Sequence, residues 1–167
     1  MDCPFSCQSS VFKKMLNDSD MVEAKSGEIK VTDISPITME SLLFFIYHGN
    51  LDESKISGDL MMAADKYNIS ALYKFCVYYF KNNLTEENAE YVMNLAHLKN
   101  EHELFEKACK FVFKNKPLKE KAWQDMIKNN PDYVIEILKV LIWKQKYNKA
   151  LFKSHLKINF IRLVECI

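Results

Sequence analysis

The chain has 167 residues, of which 49% are hydrophobic and 27% charged, a balance that excludes a disordered protein and allows a buried core. Three glycines and four prolines are too few for many hairpins or for a glycine-rich phosphate loop, so an α-rich fold is favoured. The net charge of +1 hides an asymmetry: residues 143–167 hold six basic residues against Glu165 alone, whereas residues 1–142 are acidic overall.

The first predicted element is a helix over SSVFKKML, residues 9–16, where serines that can cap a helix precede an apolar face. A polar loop follows, and in it the apolar pair Met21-Val22 is followed directly by Glu23. The alternation of apolar and polar residues in EIKVTDI then predicts a short strand over residues 28–33.

The next predicted helix begins at Ser35-Pro36 and ends at Gly49, which can adopt the left-handed conformation of a helix cap. Its middle is apolar all round, so the helix is either central to a core or partly covered by a partner. Two further helices are predicted to join at Asn68, and Cys76 in the second is expected to be a buried thiol.

From Leu84 onward the pattern predicts short helical hairpins, with Thr85 capping one helix and Asn130-Pro131 starting another. We expect three segments, residues 1–82, 83–142 and 143–167. The last is a basic tail with interleaved aromatic residues, a pattern that could bind nucleic acid or an acidic membrane. Because no fold signature of a nucleic-acid-binding domain accompanies it, an amphipathic terminal helix is favoured.

The five cysteines are odd in number and scattered, without a CxxC pair, which indicates reduced thiols. No secretory leader is visible at residues 1–10, and no apolar run approaches the roughly 18–20 residues of a membrane-spanning helix. We therefore expect a soluble protein of the nucleus or cytoplasm, with no membrane partner.

Enzyme signatures such as GxSxG, a glycine-rich phosphate loop or an HRD or DFG run are absent from the sequence, so no enzyme and no cofactor are expected. His97, His102 and Cys109 suggest a metal hypothesis. Their spacing crosses a predicted helix break and no second cysteine pair accompanies them, so surface histidines are favoured over a zinc site.

Four stretches resemble parts of one known family: SSVFKKML, FIYHGNL, LMMAADKYNISALYKFC and LTEENAEYVMNLAHL. They are similar to the later part of a BTB (POZ) domain and the BACK segment after it, as in the speckle-type POZ protein group with its TD and POZ domain-containing members. The resemblance covers residues 9–142. It implies a mainly α protein, with a partial BTB/POZ α/β fold that keeps one or two short strands, followed by BACK-type helical hairpins.

In that family a BTB–BACK protein is a substrate adaptor of cullin-3 RING ubiquitin ligases, without catalysis or a small-molecule substrate. The resemblance implies that the triplet Met21-Val22-Glu23, together with Tyr47, contacts cullin-3. Met21 would fill an apolar pocket and Glu23 would accept a hydrogen bond. The other interpretation is that Met21 covers the domain's own core and Glu23 is solvated.

Two features depart from the family pattern. The resemblance begins inside the serine–Phe signature, so we expect a BTB domain that lacks its N-terminal half and most of its dimer surface. Self-association, alone or with other BTB proteins, would involve Tyr133 and Leu138, but the family has an exposed aromatic residue where this chain has Leu138. The alternative function is a regulatory interaction module without a ligase, or a degenerate fragment that competes with full-length relatives.

Overall fold

The computed structural model describes residues 8–115, 124 and 127–147. Within those residues all regular structure is helical. The predicted mainly α fold is therefore confirmed. The chain forms two compact units, Met1–Asn83 and Leu84–Ile167, and each has buried apolar side chains of its own.

The helices of the first unit follow one another over short connections. They are α1 (Ser10–Asn17), α2 (Val22–Ser26), α3 (Pro36–His48), α4 (Gly58–Lys66) and α5 (Ser70–Asn82), with a 3-10 turn at Glu53–Lys55. Helix α4 packs against both α3 and α5, and α1 packs against α2. The larger side chains buried in this unit are Phe12, Leu42, Phe45, Ile46, Leu60, Met61, Tyr67, Ile69, Leu72, Cys76 and Phe80.

Helix α3 begins and ends where its sequence signals predict. The Ser35 hydroxyl accepts a hydrogen bond from the Thr38 amide, and Pro36 occupies the first turn, where a missing N–H costs nothing. Gly49 ends the helix with φ +72°, and its amide donates to the Phe45 carbonyl. The predicted joint between α4 and α5 is also confirmed, since Asn68 has φ +51°.

The predicted strand over residues 28–33 is wrong. No regular structure is present between α2 and α3, although Ile29, Val31 and Ile34 are half-buried while Lys30 and Thr32 are exposed. A strand needs a neighbouring strand to satisfy its backbone groups, and the part of the chain that the structure describes contains none. The alternating burial thus reflects packing of a loop on the unit.

The second unit contains α6 (Ala89–Leu98), α7 (His102–Asn115) and α8 (Pro131–Tyr147), and α7 packs against the other two. Before α6, the Thr85 hydroxyl accepts from the Asn88 amide while the Asn88 side chain accepts from the Thr85 amide. This reciprocal pair satisfies two amides in the turn ahead of the helix, whereas the cap position of α6 itself is Asn88 and not Thr85 as predicted. The larger buried side chains of this unit are Val92, Met93, Leu95, Leu104, Phe105, Cys109, Val112, Tyr133, Val134 and Ile137.

The predicted segment boundary at residues 142–143 falls inside α8, which continues to Tyr147. The rest of the basic tail lies outside the described residues, as do Cys3, Cys7 and Cys166. Cys76 and Cys109 are free and buried, which for Cys76 confirms the prediction from its apolar helical position. In the described part of the chain, no helix is both long and apolar enough to cross a membrane.

Candidate protein-docking site

The triplet Met21-Val22-Glu23 lies at the start of a helix and not in an irregular loop. The Met21 amide donates to the Asp18 carbonyl at 2.9 Å, which closes the turn after α1, and Met21 then precedes the first residue of α2. Gly27 ends α2 with φ +71°, and its amide donates to the Glu23 carbonyl at 2.8 Å. A tight turn and a glycine cap therefore delimit a single helical turn that carries the triplet.

The three side chains of the triplet differ in exposure. Val22 is 74% exposed, whereas Met21 and Glu23 are half-buried. Met21 lines an open groove of about 360 Å³ with four α1 residues, Ser10, Val11, Lys14 and Met15. The Met21 side chain is thus held against its own domain and is still reachable from solvent, and its role in docking stays a prediction.

Tyr47 belongs to an exposed apolar face of α3, the α3 outer face, formed by Ile37, Phe44 and Tyr47. These side chains are 69%, 46% and 58% exposed. The Phe44 ring stacks on His48, with 4.0 Å between ring centroids. The sequence predicts a helix that is apolar all round, and the structure adds that one side is buried while this face is exposed.

The start of α1 is adjacent to both predicted parts of the site. Gln8 donates from its side-chain Nε2 to the carbonyl of Ile46, the neighbour of Tyr47, at 2.9 Å. Two residues later, Ser10 contributes to the groove that Met21 lines. The chain at and just before the start of α1 therefore contacts both the end of α3 and the groove that Met21 lines.

Sequence reasoning missed a cluster that holds this region together, the Tyr67 clamp, formed by Ser9, Phe12, Asp33, Lys66 and Tyr67. The Ser9 hydroxyl donates to the Tyr67 carbonyl, and the Phe12 and Tyr67 rings stack at 4.6 Å. The Tyr67 hydroxyl donates to Asp33 Oδ1 at 2.9 Å. Lys66 Nζ lies 2.7 Å from Asp33 Oδ2. The AADKY stretch lies in one of the four segments that carry the family resemblance, but nothing local to it identifies Asp33 as its partner.

The charges of the Tyr67 clamp are complementary. Two hydrogen bonds lower the pKa of Asp33 below its ordinary value, and the bond from Lys66 has a larger effect than the bond from Tyr67. Burial, followed by the hydrogen bond to Asp33, raises the pKa of Tyr67 to about 12. At neutral pH the aspartate is therefore ionised and the tyrosine is a neutral donor, the pairing that makes a charge-assisted hydrogen bond.

The self-association candidates lie in the second unit. Tyr133 is only 6% exposed, and its hydroxyl donates to Asn94 Oδ1. Its ring centroid lies 4.4 Å from that of His97, and burial raises the pKa of the phenol. Leu138 is half-buried. Self-association stays a prediction, and a contact through the Tyr133 ring would require that side chain to leave its buried position.

The metal candidates are arranged around a carboxylate. His97 Nδ1 lies 2.7 Å from Glu136 Oε2, and His102 Nδ1 lies 3.6 Å from Oε1 of the same group. Cys109 is buried, and burial is the main cause that raises its pKa to about 12. No group of three or more potential ligands arranged for a metal ion occurs among the described residues. His102 is a surface residue as predicted, whereas His97 is half-buried against Tyr133.

Comparison with known proteins identifies the first unit. Residues 5–84 match the BTB/POZ domain. This confirms that a BTB/POZ domain is present, whereas its truncation and the BACK segment after it stay predictions. Three similar curated proteins are a BTB/POZ domain-containing protein of Arabidopsis thaliana (27% identical over 142 residues), protein maternal effect lethal 26 of Caenorhabditis elegans (28% over 134) and TD and POZ domain-containing protein 1-like of Mus musculus (28% over 139). The matches cover 83%, 78% and 80% of this chain but only 58%, 34% and 38% of the relatives.

Proposed function

We propose, from the premise that residues 5–84 are a BTB/POZ domain, that this protein is an adaptor that joins target proteins to a cullin-3 RING ubiquitin ligase. A BTB/POZ domain is a protein-interaction module that also mediates oligomerisation. In this proposal the protein supplies a docking surface for cullin-3, and the ligase supplies the chemistry of ubiquitin transfer. The nucleus or cytoplasm is the proposed location.

The observation that supports this proposal is the presentation of the triplet. Val22 is exposed at the start of α2, and Met21 forms one wall of an open groove. An apolar side chain of a partner helix can enter that groove, because methionine is unbranched and adapts its shape to what it contacts. In our proposal Glu23, one residue beyond Val22, accepts a hydrogen bond from the partner.

The α3 outer face supports a second part of the same contact. Tyr47 is 58% exposed and Phe44 is 46% exposed, and both lie near the end of α3. Large aromatic side chains dominate the energetics of protein interfaces, and tyrosine is over-represented among the residues whose truncation costs most. In our proposal Tyr47 anchors cullin-3 beside the groove, with the start of α1 between the two contacts.

The test is direct binding of the full chain to the N-terminal domain of cullin-3, measured by calorimetry. Met21→Asp combined with Glu23→Lys places a charge in the apolar groove and reverses the acceptor, so binding should be lost. Tyr47→Ala alone should weaken binding about 30-fold, as expected for an interface residue worth roughly 2 kcal/mol. The matched control is Leu98→Asp with Glu87→Lys, which makes the same chemical changes at exposed positions of the second unit.

Each outcome has a distinct meaning. Binding by the wild type and the control, with loss in the triplet variant, supports the adaptor and its site. Binding that persists in the triplet variant moves the contact elsewhere on the protein. If the wild type does not bind cullin-3, the adaptor function is refuted, and a regulatory interaction module without a ligase becomes the better proposal.

A further inference from the structure

We propose that Tyr67 is the positioning residue of this docking site, because it binds both ends of the chain segment that carries the triplet. This segment runs from Ser9 to Asp33. The inference rests on the proposed docking function for its biological meaning. Its structural content concerns only the first unit. Tyr67 is distant in sequence from the triplet, and it acts through the two ends of the segment without contacting the partner.

At the N-terminal end of the segment, Tyr67 fixes the start of α1 in two ways. Its carbonyl accepts from the Ser9 hydroxyl, which also accepts from the Phe12 amide at 3.1 Å and so caps α1. Its ring stacks on Phe12 with only 14° between the planes. Ser9 and Phe12 are both fully buried, so this end is anchored in the core.

At the other end, Tyr67 reaches a loop that has no regular structure of its own. Its hydroxyl donates to Asp33, and the adjacent Lys66 pairs with the other oxygen of the same carboxylate. Asp33 lies two residues before the Ser35 cap of α3. The carboxylate therefore ties the loop between α2 and α3 to the end of α4.

Helix α2 needs such anchors. It has five residues, far fewer than the roughly 12–15 at which an isolated helix becomes even marginally stable in water. Its residues bury little, since Val22 and Lys25 are exposed and the other members of the first turn are half-buried. Fixing the chain on both sides restricts the conformations of the triplet before it meets a partner, which reduces the entropy lost on binding.

The hydroxyl of Tyr67 separates this role from ordinary core packing. A phenylalanine in the same place would keep the ring stack with Phe12 and the carbonyl that accepts from Ser9. It would lose only the hydrogen bond to Asp33. If Tyr67 were only a core residue, removal of its hydroxyl would not affect the loop selectively. Amide hydrogen exchange in the loop would then change no more than exchange in the helices.

The experiment compares amide hydrogen exchange in Tyr67→Phe, Asp33→Asn and the double variant, each as the full chain. Exchange over residues 18–34 should become about tenfold faster in Tyr67→Phe, since a hydrogen bond to a charged group is removed, while exchange in α3, α4 and α5 stays unchanged. The double variant should add little to either single variant, because both remove the same bond. Tyr78→Phe is the control, as this hydroxyl lies on a side chain that is 69% exposed.

The same variants are then measured for binding to the N-terminal domain of cullin-3. We expect Tyr67→Phe to weaken binding by up to about tenfold although every residue of the triplet is retained. Exchange that is unchanged over residues 18–34, or that rises evenly through the whole unit, overturns the positioning role. If the wild type does not bind cullin-3, the docking function fails, while the exchange result still decides whether Tyr67 fixes the segment.

Discussion

Truncation of Tyr133 to alanine should lower the free energy of unfolding of the second unit. It should not act by separating copies of the chain. The side chain is 6% exposed, lies against the rings of His97 and Phe105, and donates its hydroxyl to Asn94. Removal of a buried aromatic side chain costs about 3–5 kcal/mol, since both the transfer free energy and a residual cavity contribute. Tyr133→Phe removes only the hydrogen bond, worth about 0.5–1.5 kcal/mol.

The assay is urea unfolding followed by circular dichroism, with site-resolved hydrogen exchange over α6 and α7 to assign the change to the second unit. Sedimentation equilibrium on the same samples reports the average mass. Ile135→Ala is the control on the same helix, because this side chain is 48% exposed. A substitution there should change the free energy of unfolding by no more than about 0.5 kcal/mol.

The opposite pattern would refute this reasoning. If Tyr133→Ala leaves the unfolding midpoint and the exchange rates unchanged while the average mass falls, Tyr133 is a contact between chains and not a core residue. Equal effects of Tyr133→Ala and Ile135→Ala on unfolding would also contradict the packing described for the second unit.

Three further predictions concern single groups. Gly49→Ala should lower the free energy of unfolding by about 1–2 kcal/mol in urea titrations, because Gly49 has φ +72°, a conformation that is unfavourable for alanine. The cost comes from the backbone alone, since an added Cβ would meet nothing within 4 Å. A cost as small as that of an ordinary surface substitution would contradict this prediction. The pKa of Asp33 in the folded protein is lowered, chiefly by Lys66, so ionised Asp33 should stabilise the fold at neutral pH and lose this effect as the pH falls below about 4. The difference in unfolding free energy between the wild type and Asp33→Asn should therefore shrink when it is measured at decreasing pH. Cys76 and Cys109, whose pKa values burial raises to about 12, should be alkylated by iodoacetamide only after denaturation, and rapid labelling of the native protein, read by mass spectrometry, would contradict their burial.

The candidate docking site shows which properties of a protein surface a sequence motif does not specify. A resemblance identifies Met21, Val22, Glu23 and Tyr47 as site residues. The structure leaves Val22 and Tyr47 exposed, while Met21 and Glu23 are half-buried. Val22 is the most exposed member of the triplet, while Met21 shares a groove with α1. These differences depend on how α1 and α2 pack, and a three-residue pattern carries no information about that packing.

The Tyr67 clamp could not be predicted for a related reason. Its members come from the start of α1, from the loop before α3 and from the end of α4, and 34 residues separate Asp33 from Tyr67 in the chain. No periodicity links them. Asp33 looks like any polar residue of a loop until the fold places Lys66 and Tyr67 beside its carboxylate.

The sequence by itself determined both ends of α3 and the joint between α4 and α5. Ser35, Pro36, Gly49 and Asn68 act through hydrogen bonds and backbone angles within one turn of their own position, so local sequence is sufficient to predict them. The apolar stripes of the helices similarly follow from a spacing that a few neighbouring residues define.

The tertiary structure alone decided the rest. Residues 28–33 alternate as a strand would, yet pairing requires a second strand, and the described chain supplies a clamp at Asp33 instead. Likewise Tyr133 became a core residue because His97, Phe105 and Asn94 surround it. Burial and hydrogen-bond partners depend on residues that are remote in sequence, so the same local pattern can end in a strand, a loop, a core or a surface.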